Sequence, residues 1–223
     1  MQTNCRGLSW RLLTETAGNE EGTFHRIRQS MRQEPPPSII LASASPRRRE
    51  LLSEAGYEFT VVRPDLDEST FPTEGIEAAE YAKKLALAKA NSVATAYPDR
   101  LVLGADTVVD CEGRIIGKPA DAKDAERITR KLFSAPHKVV TGLAIVRVCD
   151  NTRLLASDST TVSPRRLTAG QIAEHIRGGS WRDKAGAYAI QETGDEFVER
   201  IEGSLTNVMG LPMELLKSLL ARL

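Results

Sequence analysis

The chain has 223 residues, enough for one large domain or a compact two-lobed one, and its 41% hydrophobic and 27% charged content is ordinary for a globular protein. Thirty basic against thirty acidic residues leave no formal charge. That argues against a general nucleic-acid binder, which needs a basic field, but leaves room for a local anion pocket made by a few cations. The apolar runs are far too short to span a bilayer, and Cys5, Cys111 and Cys149 form neither a CxxC pair nor a disulfide framework, so a reducing cytoplasm is the expected compartment.

Residues 1–37 are polar, lack periodicity and end in Glu34-Pro35-Pro36-Pro37. They are expected to be a disordered or loosely attached arm beside a single domain over residues 38–223. Trp10-Arg11-Leu12-Leu13 is too short for a signal-peptide core, and Met31 is a second candidate for the start of translation. Ile39–Ala42 reads as a buried strand. Ser43-Ala44-Ser45-Pro46-Arg47-Arg48-Arg49-Glu50 then leads into a short helix closed by Gly56, with Pro46 suited to its first position. Cations at a helix N-terminus oppose the helix dipole, so hydroxyls and arginines clustered there suggest an anionic ligand. Arginine forks match phosphate oxygens in shape and charge.

A second strand, Tyr57–Val62, precedes a loop with Asp65, Asp67 and Glu68. Glu77–Thr95 reads as a long helix. Leu101–Val109 is apolar on both faces and is expected to be central. Glu112-Gly113 turns the chain into Ile115–Pro119, and Asp121 caps a helix with the stripe Ala125, Ile128, Leu132. Val139–Val148 and Leu154–Val162 predict an antiparallel pair. Thr168 and Gln171 form a capping box opening a helix to about Arg177. Lys184–Gln191 is a loop or strand, Phe197–Ile201 a strand, and Pro212 starts a final helix with Leu215, Leu216, Leu219 and Leu220 inward. The order predicts a three-layer α/β protein: a long mixed β-sheet, helices on both sides, and two lobes around a central cleft.

Asp106 interrupts an apolar strand, and a buried carboxylate there needs a partner. Alone, it would read as a turn cap or a lysine pair. Gly104 leaves room beside it, Lys118 is expected close by across a hairpin, and Glu68 adds a second acid. Acids next to a cationic phosphate cradle would repel a simple phosphate ligand. They make sense with a divalent metal between carboxylate and phosphate, since Mg²⁺ takes one or two carboxylates plus substrate phosphates. Such a metal polarises a phosphoryl oxygen and orients water, and Asp106 can accept the proton. His25, His137 and His175 have no paired or HExxH spacing and are assigned to surface or hairpin positions. Neither a P-loop nor a GxSxG elbow is present. Arg165-Arg166 reads as a solvated strand end, and Trp181 and Tyr188 as core or interface packing.

Six stretches in order across residues 39–223 resemble the Maf family of nucleoside triphosphate pyrophosphatases. They are Leu41-Ala-Ser-Ala-Ser-Pro-Arg-Arg-Arg-Glu-Leu-Leu52, Gly104-Ala-Asp-Thr-Val-Val109, Gly117-Lys-Pro119, His137-Lys-Val-Val-Thr-Gly142, Lys184-Ala-Gly-Ala-Tyr-Ala-Ile-Gln191 and Glu202-Gly-Ser to Val208-Met-Gly-Leu-Pro212. The resemblance implies a fold similar to inosine triphosphate pyrophosphatases and hydrolysis of a nucleoside triphosphate at the α–β bond. It further implies a divalent cation (Mg²⁺ or Mn²⁺), a cytoplasmic homodimer without nucleic-acid or membrane partners, and a role in removing unwanted nucleotides. It makes Asp106 the proton acceptor, assigns phosphates to Ser43, Arg48, Lys89 and Lys118, and places metal at Glu68 and Asp106. Arg47, Thr107 and Gln191 match the dTTP/UTP subgroup rather than the 7-methyl-GTP one. A neutral amide pairs with a pyrimidine edge, whereas a carboxylate suits a cationic methylated guanine. Two alternatives remain: a pyrophosphatase for modified nucleotides, and a nucleotide-binding regulator of septation without relevant catalysis.

Overall fold

The computed structural model describes residues 38–182, 184–188, 190 and 197–223. The expected N-terminal arm, His25, Cys5 and Gln191 lie outside the described residues. Strands β1 (Ile39–Ala42), β2 (Phe59–Val62), β3 (Leu101–Cys111), β4 (Arg114–Ile116), β5 (His137–Arg147), β6 (Thr152–Pro164) and β7 (Val198–Glu202) form one mixed sheet. Its order is β2-β1-β3-β5-β6-β7, with β4 on β3. β1 runs parallel to β2 and β3, and the remaining pairs are antiparallel. β5 occupies one edge of β3 from Val102 to Asp110. The other edge is shared, since β1 stops opposite Gly104 and β4 starts opposite Val109. The stretch 105–108 therefore has an open edge, and Asp106 and Thr107 lie within it.

Side chains alternate across a strand, and β3 sorts its residues accordingly. Gly104, Asp106 and Val108 face α2 (Ala78–Ala94). The helix presents Ala82, Ala86 and Ala90, spaced by four residues and all fully buried. These small residues let the helix lie against two glycines. A Cβ on Gly104 would fall 2.1 Å from the Ala86 carbonyl oxygen, and one on Gly142 would fall 2.3 Å from the Ala82 carbonyl carbon.

Ala105, Thr107 and Val109 face the opposite layer. There, α1 (Pro46–Glu54) and α6 (Met213–Leu220) cover one apolar cluster with Leu41, Leu103, Ala105 and Leu143. Helices α3 (Ala122–Leu132) and α4 (Ala169–Gly178) cover a second, with Val109, Val139, Trp181 and Tyr188. Thr107 stands between the two clusters on the same strand face, and a cleft opens there. Three layers and two lobes follow. Among the described residues, no helix is long and apolar enough to cross a membrane.

Local signals account for several helix starts. Asp121 accepts from the Asp124 N–H at 2.8 Å, and the Thr168–Gln171 capping box is formed. Two expectations are corrected and one is narrowed. His137 and His175 are buried (3% and 6% exposed) rather than at the surface, because long-range packing covers them. Of the two readings for Lys184–Gln191, loop or strand, the described part follows the loop, with a short 3₁₀ turn at Ala185–Ala187. Lys118 is half exposed and meets Glu68 at 3.9 Å, with no contact to Asp106.

Candidate active site

The turn after β1 sits at the open edge of β3. Ser45 caps α1 by position, but its side chain makes no capping bond. Its backbone N–H donates to Ser43 Oγ at 3.2 Å. Arg48 is buried and spends three N–H groups on the protein. Nε donates to the Gly210 carbonyl (2.8 Å), Nη1 to Ser43 Oγ (3.1 Å) and Nη2 to Thr107 Oγ1 (3.0 Å). It thus ties the turn to β3 and to the segment after α5 (Leu205–Val208). A guanidinium has five N–H groups, so two remain for a ligand. Ser43 Oγ accepts two bonds, which leaves its own hydrogen to donate, the polarity a phosphate oxygen requires. Arg47 is half-buried and in an ion pair with Glu50 at 3.3 Å, and Arg49 is exposed.

On the other side of the edge, Lys89 of α2 joins two acids. Its Nζ lies 2.6 Å from Asp106 Oδ1 and 2.8 Å from Glu68 Oε1. Asp106 Oδ2 has no protein hydrogen-bond partner among the described residues. The two carboxyls differ in character. Burial pushes Asp106 above the ordinary carboxylate value, against the pull of Lys89 and Arg48. Burial would raise Glu68 too, but the hydrogen bond and charge of Lys89, with Lys118 and Arg48, outweigh it and hold Glu68 below its ordinary value. Tyr81 is nearby. Burial, then the charges of Asp106 and Glu68, push its phenol up.

The donor set can be tested against a divalent cation. Two carboxylate oxygens already converge on one positive centre, the Lys89 ammonium. Among the described residues, no cluster of three or more acidic, histidine or cysteine side chains exists. That suits a hard cation completed by substrate oxygens and water, not an all-protein cage. The residues fit such a metal.

The cleft beside Thr107 is lined by Arg47, Arg48, Val109, Lys184, Tyr188 and Met209, among others. Thr141 Oγ1 donates to the Asn207 carbonyl (3.0 Å), so it must accept from Thr107 Oγ1 at 2.9 Å. Thr107 thus accepts from Arg48, donates to Thr141 and offers the cleft only a lone pair. Tyr188 is held in the same directed way. His137 Nδ1 donates to the Leu132 carbonyl, leaving Nε2 to accept from the Tyr188 hydroxyl at 2.9 Å. Burial lowers the His137 pKa and keeps the ring neutral for this role.

The geometry brings Ser43, Arg48 and Thr107 into direct contact, and Asp106, Glu68 and Lys89 into a second group, with Lys118 on its rim. Arg47 borders the cleft. Sequence reasoning missed the Arg48 bond to Gly210, the Thr141 relay and the His137–Tyr188 pair. Gly210, Thr141, His137 and Tyr188 all fall within the family-like stretches of the sequence, which point to them without showing their partners.

An anionic molecule reaching over the β3 edge would meet donors on one side and two acids on the other; the architecture is that of a three-layer α/β protein with a cleft beside this open strand edge. The family model for Maf-like protein matches residues 38–223, and the chain belongs to that family. It is 47% identical over 176 residues to a dTTP/UTP pyrophosphatase of Citrifermentans bemidjiense, covering 79% of this chain and 90% of that protein. A dTTP/UTP pyrophosphatase of Elusimicrobium minutum is 44% identical over 183 residues, covering 82% and 96%. Among solved structures, the Ham1 protein of Staphylococcus aureus superposes with a TM-score of 0.48 at 14% identity, over 83% of this chain and 98% of that one.

Proposed function

We propose that this chain hydrolyses nucleoside triphosphates, dTTP and UTP foremost, at the α–β phosphate bond. Water adds to the α-phosphorus, the bond to the bridging oxygen breaks, and pyrophosphate leaves from the monophosphate. The observation that carries this reading is Asp106: a buried carboxylate anchored through Oδ1 by Lys89, with Oδ2 left without a protein partner at the strand edge. Raised basicity suits it to take the proton of the attacking water. Ser43, Arg48 and the open N-terminus of α1 supply donors for the phosphates, and Lys89 and Lys118 supply charge. Glu68 and Asp106 would hold Mg²⁺ or Mn²⁺, which when bound polarises a phosphoryl oxygen and neutralises charge. The relatives named dTTP/UTP pyrophosphatase support the choice of substrate. Arg47 and Thr107 border the cleft where a base would lie, and the lone pair of Thr107 matches an N–H on a pyrimidine edge. The regulatory alternative leaves this charge arrangement unused. In this reading the protein acts as a cytoplasmic homodimer in nucleotide-pool cleaning.

The test is a panel of nucleoside triphosphates assayed for pyrophosphate release. The highest kcat/KM is expected for dTTP and UTP, with loss on chelation and recovery on adding Mg²⁺ or Mn²⁺. Equal kcat/KM for dTTP and 7-methyl-GTP contradicts the substrate assignment, and turnover in EDTA contradicts the metal.

A further inference from the structure

We propose that Lys89 is a built-in substitute for the divalent cation, so that nucleotide-free protein binds the metal weakly and takes it up together with the triphosphate. The inference rests on the metal-dependent reading above and adds an order of assembly to it.

The ammonium occupies the point on which Glu68 and Asp106 converge, at 2.8 and 2.6 Å. A cation bridging the same two oxygens must displace it. Lys89 and Asp106 are both nearly closed to solvent, with side chains 9% and 8% exposed, so the pair is poorly screened by water. The surroundings add to the barrier. Arg48 and Lys118 both act electrostatically on Glu68, giving the site three cationic side chains against two acids. A lone divalent ion meets no net attraction there. A triphosphate reverses the balance, because its oxygens take the charge of Lys89, Lys118 and Arg48 and bring further ligands for the metal.

The helix cannot simply back away. Ala86 and Ala90 are seated against Gly104, so the backbone under Lys89 is fixed. The change is confined to the flexible four-carbon side chain, which can turn its ammonium from carboxylates to phosphate. Lysine suits this better than arginine, since a compact ammonium carries no planar fork to reorient.

The experiment is Mn²⁺ titration of the nucleotide-free full chain, read by loss of the free-ion EPR signal. K89M and K89Q are expected to bind Mn²⁺ at least tenfold more tightly than the parent. K89R, which keeps the charge, should bind like the parent. The double variant E68Q/K89M should lose the gain. Thermal melts identify which variants are folded, and the two neutral substitutions serve as independent copies. Equal Mn²⁺ binding by the parent and both neutral variants overturns the inference, as does a gain that survives E68Q. Either result leaves the metal-dependent reading intact, because chelation of the parent tests that separately. Absence of Mn²⁺ binding in every variant, with chelation leaving turnover unchanged, overturns both.

Discussion

Replacing Asp106 by asparagine separates chemistry from fold. The amide has the shape of the carboxyl and can still accept from Lys89 through Oδ1, the atom now bonded at 2.6 Å. What it loses is the basicity of the second oxygen, the one left without a protein partner. A positioned general base contributes about 10²–10⁴ in rate, or about 3–5 kcal/mol of barrier. Pyrophosphate release from dTTP should fall by that factor. Stability should move little, or rise. Burial places the Asp106 pKa above its unfolded value, so over the window from that unfolded value, about 3.9, up to the folded one the native state binds more protons. Stability from this group is therefore lost as pH rises through the window. Asp106→Asn removes that slope, and its urea midpoint should fall less between pH 4 and 7 than the parent's. Glu68 acts in the opposite sense. Its lowered pKa contributes stability above the unfolded value, lost as pH falls through the folded one. Turnover within threefold of the parent would remove the proposed base. A melting temperature lower by more than about 6 °C, about 2 kcal/mol for a domain of this size, would show that the carboxylate is mainly structural.

Three further substitutions probe what holds the site. Gly104→Ala puts a methyl group against the Ala86 carbonyl. It should destabilise by about 1–3 kcal/mol and cut kcat further than stability alone explains, since it pushes Lys89 off Asp106; unaltered denaturation and kinetics would refute the close packing. Arg48→Lys cannot serve Gly210, Ser43 and Thr107 at once, so a loss of about 1–3 kcal/mol is expected in urea unfolding. His137→Phe leaves the Tyr188 hydroxyl without its acceptor, at a similar cost of about 1–3 kcal/mol. Steady-state kinetics should show KM rising more than kcat falls, because the affected ring lines the cleft.

Local chemistry was legible in the chain itself. The capping box at Thr168, the Asp121 cap and the turn at Glu112-Gly113 each depend on neighbours within a few residues, and the antiparallel pair β5–β6 joins segments adjacent in the chain; all four are present. Asp106 was identifiable because a charge inside an apolar strand demands a partner wherever the strand ends up. The identity of that partner was not. Lys89 reaches it only because Gly104 and Gly142 let an alanine-faced helix sit low on the sheet, which fixes the rotation of the helix as well as its height. Arg48 is expected from the sequence to hold phosphate, and its bond to Gly210, 162 residues away, is not legible there. His137 and His175 are assigned from the sequence to surface or hairpin positions, yet His137 is covered by Tyr188 and His175 by Ala187 and Phe197. Secondary structure follows from short-range periodicity and capping, whereas the pairing of charges follows from which faces the long connections bring together, and that depends on packing over the whole domain.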